Sequence, residues 1–328
     1  MLNYNELERN SKVLNDKRPN GKTNDWRNKK RMNEQYAEIL DVLHYLKASK
    51  VSACADTLRF RVTDTGHLKL YQTWFCKSRL CPICSWRRSI LHAYQVKQIV
   101  TEAVKREPKG RWLFLTLTTK NTTNAQDLAS EISKMNTALR NLFRRKKVAK
   151  NLLGFLRATE VTVNKENCSY NQHMHVLLFV KSSYFKGSDN FISQEDWRNL
   201  WQQAMKLDYE PSVNIKAIKP KNKETGEKGL IGSVYEVAKY PVKATDFLNG
   251  SDEDNQTVVD DLEQALNRKR LIAYGGLLKI IQKELNLADA EDEKADLIHT
   301  GEEIDGEETE REVVATWDKQ RKNYFIKD

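Results

Sequence analysis

Hydrophobic and polar positions recur along this chain with two periods, and the changes of period mark its elements. After a polar start rich in Asn and Lys (residues 1–24), Tyr36, Ile39, Leu40, Leu43 and Leu46 stand three or four apart. That spacing predicts a helix from a cap at Asn24-Asp25 to about residue 48. The period then falls to two. ADTLRFRV and HLKLYQTWF read as strands joined through Thr65-Gly66, and a helix follows over roughly 86–106, ended by Pro108-Lys109-Gly110.

Beyond residue 110 the order of periods is βαββαβα. RWLFLTLTT (111–119) reads as a strand and 125–147 as an amphipathic helix. GFLRATEVTV (154–163) and QHMHVLLFV (172–180) read as two strands of a hairpin. Residues 193–206 form a helix opening on Ser193, PSVNIKAIKP (211–220) a strand, and 231–240 a helix running into Pro241. Helices interleaved with a hairpin predict an α+β domain whose central antiparallel sheet, ferredoxin- or RRM-like, is flanked by helices. An N-terminal helical region with clustered cysteines precedes it. Further helices are expected around RLIAYGG within 256–287, then an acidic linker over 288–311, then the aromatic end WDKQRKNYFIKD docking back. The expected organisation is 1–108, 109–250, 251–287 and 288–328.

Charge changes this picture. The 328 residues carry a net +10, but residues 251–328 alone carry 11 basic and 21 acidic side chains, which leaves a net +20 on residues 1–250. A cationic body suits a polyanion, because each neutralised phosphate releases counterions. The acidic tail reads as a solubilising appendage or an internal mimic of DNA. No stretch approaches the roughly 20 apolar residues of a membrane helix, and the start lacks a signal-peptide core, so no membrane partner and a cytoplasmic location are expected.

Three groups of residues carry candidate chemistry. His173 and His175 stand at i, i+2 in an apolar strand, so both imidazoles face one way. If residues summing to 335 oppose each other across the hairpin, Glu160 faces His175 on the same side. A two-residue slip keeps Glu160 on that face; a one-residue slip does not. Two imidazoles and a carboxylate suit Mn²⁺ or Mg²⁺ as well as Zn²⁺. Second, Glu236 and Tyr240 stand at i, i+4 with Lys239 and Lys243 beside them, a setting for a tyrosine attacking a phosphodiester. Tyr235 is the rival nucleophile, on a different helical face. Third, Cys54, Cys76, Cys81 and Cys84 fall within 31 positions and offer four thiolates to a structural zinc, with buried free thiols as the alternative. His67 and His92 are weaker replacement ligands, and Cys168 is expected to have no role. Arg79, Arg87 and Arg88 crowd this cluster, and Arg144 and Arg145 end the basic helix; all five are candidates for contacting DNA.

FLTLTTKN (114–121), QHMHVLLFV (172–180) and YEVAKYPVK (235–243), in that order, resemble the motifs of the HUH endonucleases. The likeness is to the replication initiators of small Gram-positive rolling-circle plasmids, of the staphylococcal and bacillar single-tyrosine type. WFCKSRLCPICSWRR (74–88) and NRKRLIAYGGLLK (267–279) are also similar to this family, so the resemblance covers about residues 20–328. It implies that His173 and His175 bind the metal, Mn²⁺ or Mg²⁺, and that Tyr240 nicks one strand. The products would be a 5′-phosphotyrosine link and a free 3′-hydroxyl primer. Glu236 would stand in place of a second tyrosine and activate water to end the cycle. The implied partners are the plasmid double-strand origin, as duplex and as an exposed hairpin strand, with host helicase and DNA polymerase. Two rival readings are a non-catalytic zinc-containing DNA-binding regulator, and a relaxase or transposase of the same fold.

Overall fold

The computed structural model describes residues 12–164, 166–218, 229–239, 241–292, 294–301, 304 and 306–327. In chain order its elements begin with helices α1 (Trp26–Val42) and α2 (Ala48–Ser52), strands β1 (Thr57–Thr63) and β2 (Leu68–Gln72), and helix α3 (Pro82–Arg106). Next come β3 (Arg111–Thr118), α4 (Ala125–Arg144), α5 (Lys146–Ala149), β4 (Leu152–Asn164), β5 (Ser169–Val180), α6 (Gln194–Met205), β6 (Val213–Ala217) and α7 (Gly229–Val237). The remainder are α8 (Ala244–Phe247), α9 (Asp252–Ala265), β7 (Ile272–Gly276), α10 (Leu277–Glu284), β8 (Glu308–Asp318) and β9 (Asn323–Lys327). The chain divides into two compact units, one of residues 1–91 with 293–328 and one of 92–292.

In the first unit an antiparallel sheet runs β2-β1-β8-β9. Asp25 caps α1 by accepting from the Asn28 N–H, a contact worth about 1 kcal/mol. The helix stops at Val42, earlier than its spacing suggests, because His44 turns into the left-handed region at φ 58; Leu46 is left fully exposed. Trp26 packs edge-on against Trp86 and Phe60. Residues 308–311, read as the end of an acidic linker, instead begin β8. Two of its carboxylates form ion pairs within the sheet: Glu308 with Lys69 of β2 at 2.5 Å and Glu312 with Arg59 of β1 at 3.3 Å. The sequence could not show this, since the partner strand lies some 250 residues away.

In the second unit an antiparallel sheet runs β6-β3-β5-β4-β7. The βαββαβα order holds from β3 to α7, and β7 adds a fifth strand where RLIAYGG had been read among helices. On one face, Leu113, Leu115 and Leu117 of β3 and Met174, Val176, Leu178 and Val180 of β5 pack under α4 and α6. On the other, Trp112, Leu156, Leu177 and Phe179 pack against α7, α10 and residues 96–103 of α3. Alternation along β5 puts His173 and His175 on this second face, beyond the end of its apolar core. Ser193 and Asp196 form a reciprocal capping box at α6. Gly276 takes φ 57, and a Cβ there would meet the Leu153 carbonyl oxygen at 2.4 Å, so the turn from β7 into α10 requires glycine. Among the described residues no helix is long and apolar enough to cross a membrane.

Candidate metal centres and nucleophile segment

The register of β4 and β5 places Glu160 opposite His173 and Ala158 opposite His175. This corrects the expected pairing of Glu160 with His175 by two residues. The hairpin closes with Asn164 opposite Ser169, so its turn is centred between 166 and 167, one residue earlier than a turn centred at 167–168. An offset of two preserves the face. The Nε2 atoms of His173 and His175 lie 3.5 and 3.3 Å from one Glu160 oxygen, Oε2, and the three side chains are only 10–14% exposed. Bonds of about 2.1 Å to one cation put ligand atoms about 3.0–3.5 Å apart for octahedral to tetrahedral angles, so this donor set fits a small divalent ion.

The outer nitrogens are also engaged. His173 Nδ1 lies 3.4 Å from the Asn171 carbonyl and His175 Nδ1 3.2 Å from Thr116 Oγ1, across the β3–β5 ladder. With Nδ1–H donating outward, Nε2 keeps its lone pair for a metal. Burial raises the Glu160 carboxyl, but hydrogen bonds and charge from His173 and His175 outweigh it and hold the group well below the usual carboxylate range. Lys243 Nζ stands 4.0 Å from Glu160 Oε1. The Thr116 contact was not foreseen; its only signal in the sequence was a hydroxyl one strand away on the same face.

The candidate nucleophile Tyr240 lies outside the described residues. Next to it, the Pro241 carbonyl accepts from the Val161 N–H at 2.8 Å, which fastens this segment beside Glu160. Glu236 is paired with Lys239, and no contact joins it to Glu160, His173 or His175 among the described residues. The rival Tyr235 is 60% exposed.

In the first unit Cys54, Cys76, Cys81 and Cys84 converge, all buried, with their sulfurs within 4.8 Å of one another. Sγ–Sγ distances are 3.5 Å for Cys54–Cys84, 3.6 Å for Cys76–Cys84 and 3.7 Å for Cys54–Cys81. A tetrahedron with metal–sulfur bonds of about 2.3 Å has edges of about 3.8 Å, so four thiolates fit one zinc ion. Burial pushes the Cys54 and Cys84 thiols up. It raises Cys81 too, but bonds from the three neighbouring thiols pull that group below its ordinary value. A dry cluster that favours the Cys81 thiolate and opposes those of Cys54 and Cys84 gains most from a divalent cation.

Two polar residues of α1, both fully buried, support this cluster. Lys30 Nζ donates to the Ser52 and Cys54 carbonyls at 2.6 and 2.8 Å and lies 2.6 Å from Asp56. Asn33 Nδ2 donates to the Val51 carbonyl at 3.0 Å and to Cys81 Sγ at 3.4 Å. His67, His92 and Cys168 belong to neither donor set: His67 contacts Thr65, His92 bonds the Tyr274 hydroxyl, and Cys168 lies against Asp254.

The arginines divide. Arg87 is 2% exposed and donates to the Leu297 and Ile298 carbonyls and to Thr300, so its guanidinium is spent inside the protein. Arg88 is half-buried and donates to the Lys77 and Ser78 carbonyls of the cysteine loop. Arg79 is half-buried, Arg144 is exposed, and Arg145 donates to Gln203.

The class is defined by a five-stranded α+β domain with a two-histidine, one-carboxylate donor set, in one chain with a four-cysteine cluster. A family model described as "Replication protein" matches residues 67–325. A "Protein rep" of Lactiplantibacillus plantarum is 51% identical over 96% of this chain and 99% of its own length. One of Streptococcus pneumoniae serotype 2 is 46% identical over 98% of both chains. A "Replication protein" of Staphylococcus aureus is 48% identical over 72% of this chain and 99% of its own. The chain belongs to this replication-protein family, in keeping with the rolling-circle plasmid initiators its motifs resemble. No solved structure matches it.

Proposed function

We propose that this protein initiates rolling-circle replication by nicking one strand of its plasmid's double-strand origin. The observation that carries the reading is the convergence of His173 and His175 Nε2 on one oxygen of Glu160 in a replication-protein chain. Glu160, His173 and His175 would hold Mn²⁺ or Mg²⁺, which supplies Lewis-acid polarisation of the scissile phosphate.

The chain's own residues do the rest. Tyr240 attacks phosphorus through its phenol oxygen. The bond from phosphorus to the 3′-oxygen breaks, the phenol's proton ends on that oxygen, and the products are a 5′-phosphotyrosine and a 3′-hydroxyl primer. Lys239 and Lys243 bracket the nucleophile and offset phosphate charge. Glu236, four residues before Tyr240 in sequence, takes a proton from water to release the protein at termination. The four cysteines hold a structural Zn²⁺, and Lys30, Asn33 and Arg88 stiffen the loop that carries them. Arg79 and the exposed Arg144 contact duplex or single-stranded origin DNA. Host helicase and polymerase extend the primer.

The test is cleavage of supercoiled DNA carrying the protein's own replicon. Wild type with Mn²⁺ should give nicked circles, and Tyr240→Phe or EDTA should give none. Binding without nicking by the wild type would refute the reading.

A further inference from the structure

The face of the second unit's sheet opposite the two histidines carries a cavity and two exposed rings to which the nicking reading gives no role, although it counts one of the cations there, Arg144, as a DNA contact. From Arg140 to Phe155 the chain holds six cations and no carboxylate. The exposed Arg140 and Arg144, on the last turns of α4, line a cavity of about 540 Å³ floored by Phe143, Phe155 and Leu152 and walled by the bare backbone of Gly154 and Gly276. Among the described residues no carboxylate engages either guanidinium. Beside the cavity, two phenylalanines stand out into solvent, Phe185 at 44% and Phe191 at 46% exposure.

Those rings are held firmly. Both pack edge-on against the buried Tyr184, with centroids 5.0 and 5.8 Å away. The Tyr184 hydroxyl donates to the Ile192 carbonyl at 2.9 Å and accepts from Trp197 Nε1 at 3.1 Å. Asn151 ties the segment to the start of β4: its side chain accepts from Ser183 Oγ at 2.9 Å and donates to the Asn190 carbonyl at 3.3 Å. The next residue, Leu152, lines the cavity. Exposed Lys181 and Lys186 flank Phe185 in sequence, and exposed Lys150 donates to the Asp189 carbonyl of the same segment; the one carboxylate in 181–191 is Asp189.

We propose that this face is a second binding site, for single-stranded DNA, separate from the metal centre. Rigid exposed rings amid cations are what unpaired bases stack on, while the surrounding lysines and arginines take the phosphates. A paired duplex hides its base faces and cannot use the rings. The cavity lies on the far side of the sheet, six residues along β4 from Glu160, or about 20 Å at the usual strand rise. It therefore holds strand remote from the scissile phosphate, so a displaced strand stays attached after cutting. The assignment rests on the reading of the chain as an origin nickase only for the choice of DNA as the polyanion.

The experiment is fluorescence anisotropy of the full-length protein with labelled oligothymidylate, without added Mn²⁺. Phe185→Ala/Phe191→Ala should weaken binding at least about ten-fold with an unchanged salt slope, and Phe185→Trp/Phe191→Trp should restore it. Arg140→Ala/Arg144→Ala should lower the slope of log affinity against log salt by about 1.4, as two lost phosphate contacts on a single strand require. Affinity for a duplex of equal length should not respond to the phenylalanine changes. Wild-type affinity for oligothymidylate in the phenylalanine variant would overturn the proposal and give the rings to a protein partner. Nicking of the supercoiled replicon, assayed in parallel, keeps the two claims apart. Nicking with no binding defect refutes this site alone; a binding defect with no nicking by the wild type refutes the nickase alone.

Discussion

His175 Nε2 lies 3.3 Å from the carboxylate of Glu160, two strand positions away from direct opposition, and His173 meets the same oxygen from directly opposite. The register of one hairpin therefore builds the donor set, and the set's strength depends on both its charge and its outer contacts.

Replacing Glu160 by Gln keeps the shape and removes the only charged ligand. Mn²⁺ affinity, measured by calorimetric titration, should fall by more than ten-fold while the melting temperature of the metal-free protein is little changed. Thr116→Val removes the hydroxyl that orients His175 and should cost about 10- to 100-fold in the same titration, the usual effect of losing an outer-shell partner. Unaltered affinity in both variants would remove the metal from this site.

The cysteine cluster makes a separate claim. Purified protein should contain one equivalent of zinc by atomic emission. Cys81→Ser should lose it, with collapse of near-ultraviolet signal from Trp26 and Trp86, because zinc-binding free energy is folding free energy for such a unit. Zinc retained in full by Cys81→Ser would contradict the tetrathiolate.

Lys30 tests how that cluster is supported. Its ammonium satisfies two carbonyls inside the unit, so Lys30→Met leaves both unpaired at about 1–3 kcal/mol each. Urea unfolding should show a loss of several kcal/mol, and zinc should exchange faster to a chromophoric chelator. A loss below about 1 kcal/mol would show that the latch is not used.

His92 gives a pH dependence. Burial lowers its pKa to about 4, against about 6.5 in the unfolded chain. Above pH 6.5 the imidazole is neutral in both states and costs nothing. As pH falls from 6.5 towards 4 only the unfolded chain takes up the proton, so stability is lost, by about 2 kcal/mol between pH 7 and pH 5. His92→Gln should remove that part of the loss, read as the difference between urea midpoints at the two pH values. Equal losses in variant and wild type would show that His92 titrates normally.

Much of this site could be read from the sequence because it depends on parity and local rules. Two histidines at i, i+2 must share a strand face, and any even register shift keeps Glu160 on it, so the face was legible although the exact partner was not. Ser193 and Asp196 announced their capping box by spacing alone. What escaped was non-local or backbone-determined. The charged run of β8 pairs with β1 from about 250 residues away, and its glutamates read as a solvated tail because their ion-pair partners, Lys69 on β2 and Arg59 on β1, are brought near only by the fold. β7 ends in Gly275-Gly276, which reads as a turn. The glycines are there because a Cβ on Gly275 would strike the Phe155 ring at 2.1 Å and one on Gly276 would strike the Leu153 carbonyl. Arg87 and Arg88 looked like DNA contacts because sequence records charge and not direction.

The central claim is that Tyr240 becomes joined to DNA. The two candidate tyrosines separate on trypsin digestion: Tyr235 falls in GLIGSVYEVAK (229–239) and Tyr240 in YPVK (240–243). Protein incubated with its origin and Mn²⁺, digested with nuclease and trypsin, should yield a nucleotide-bearing YPVK peptide by mass spectrometry. An adduct on 229–239, or cleaved DNA with no peptide adduct, would contradict the account.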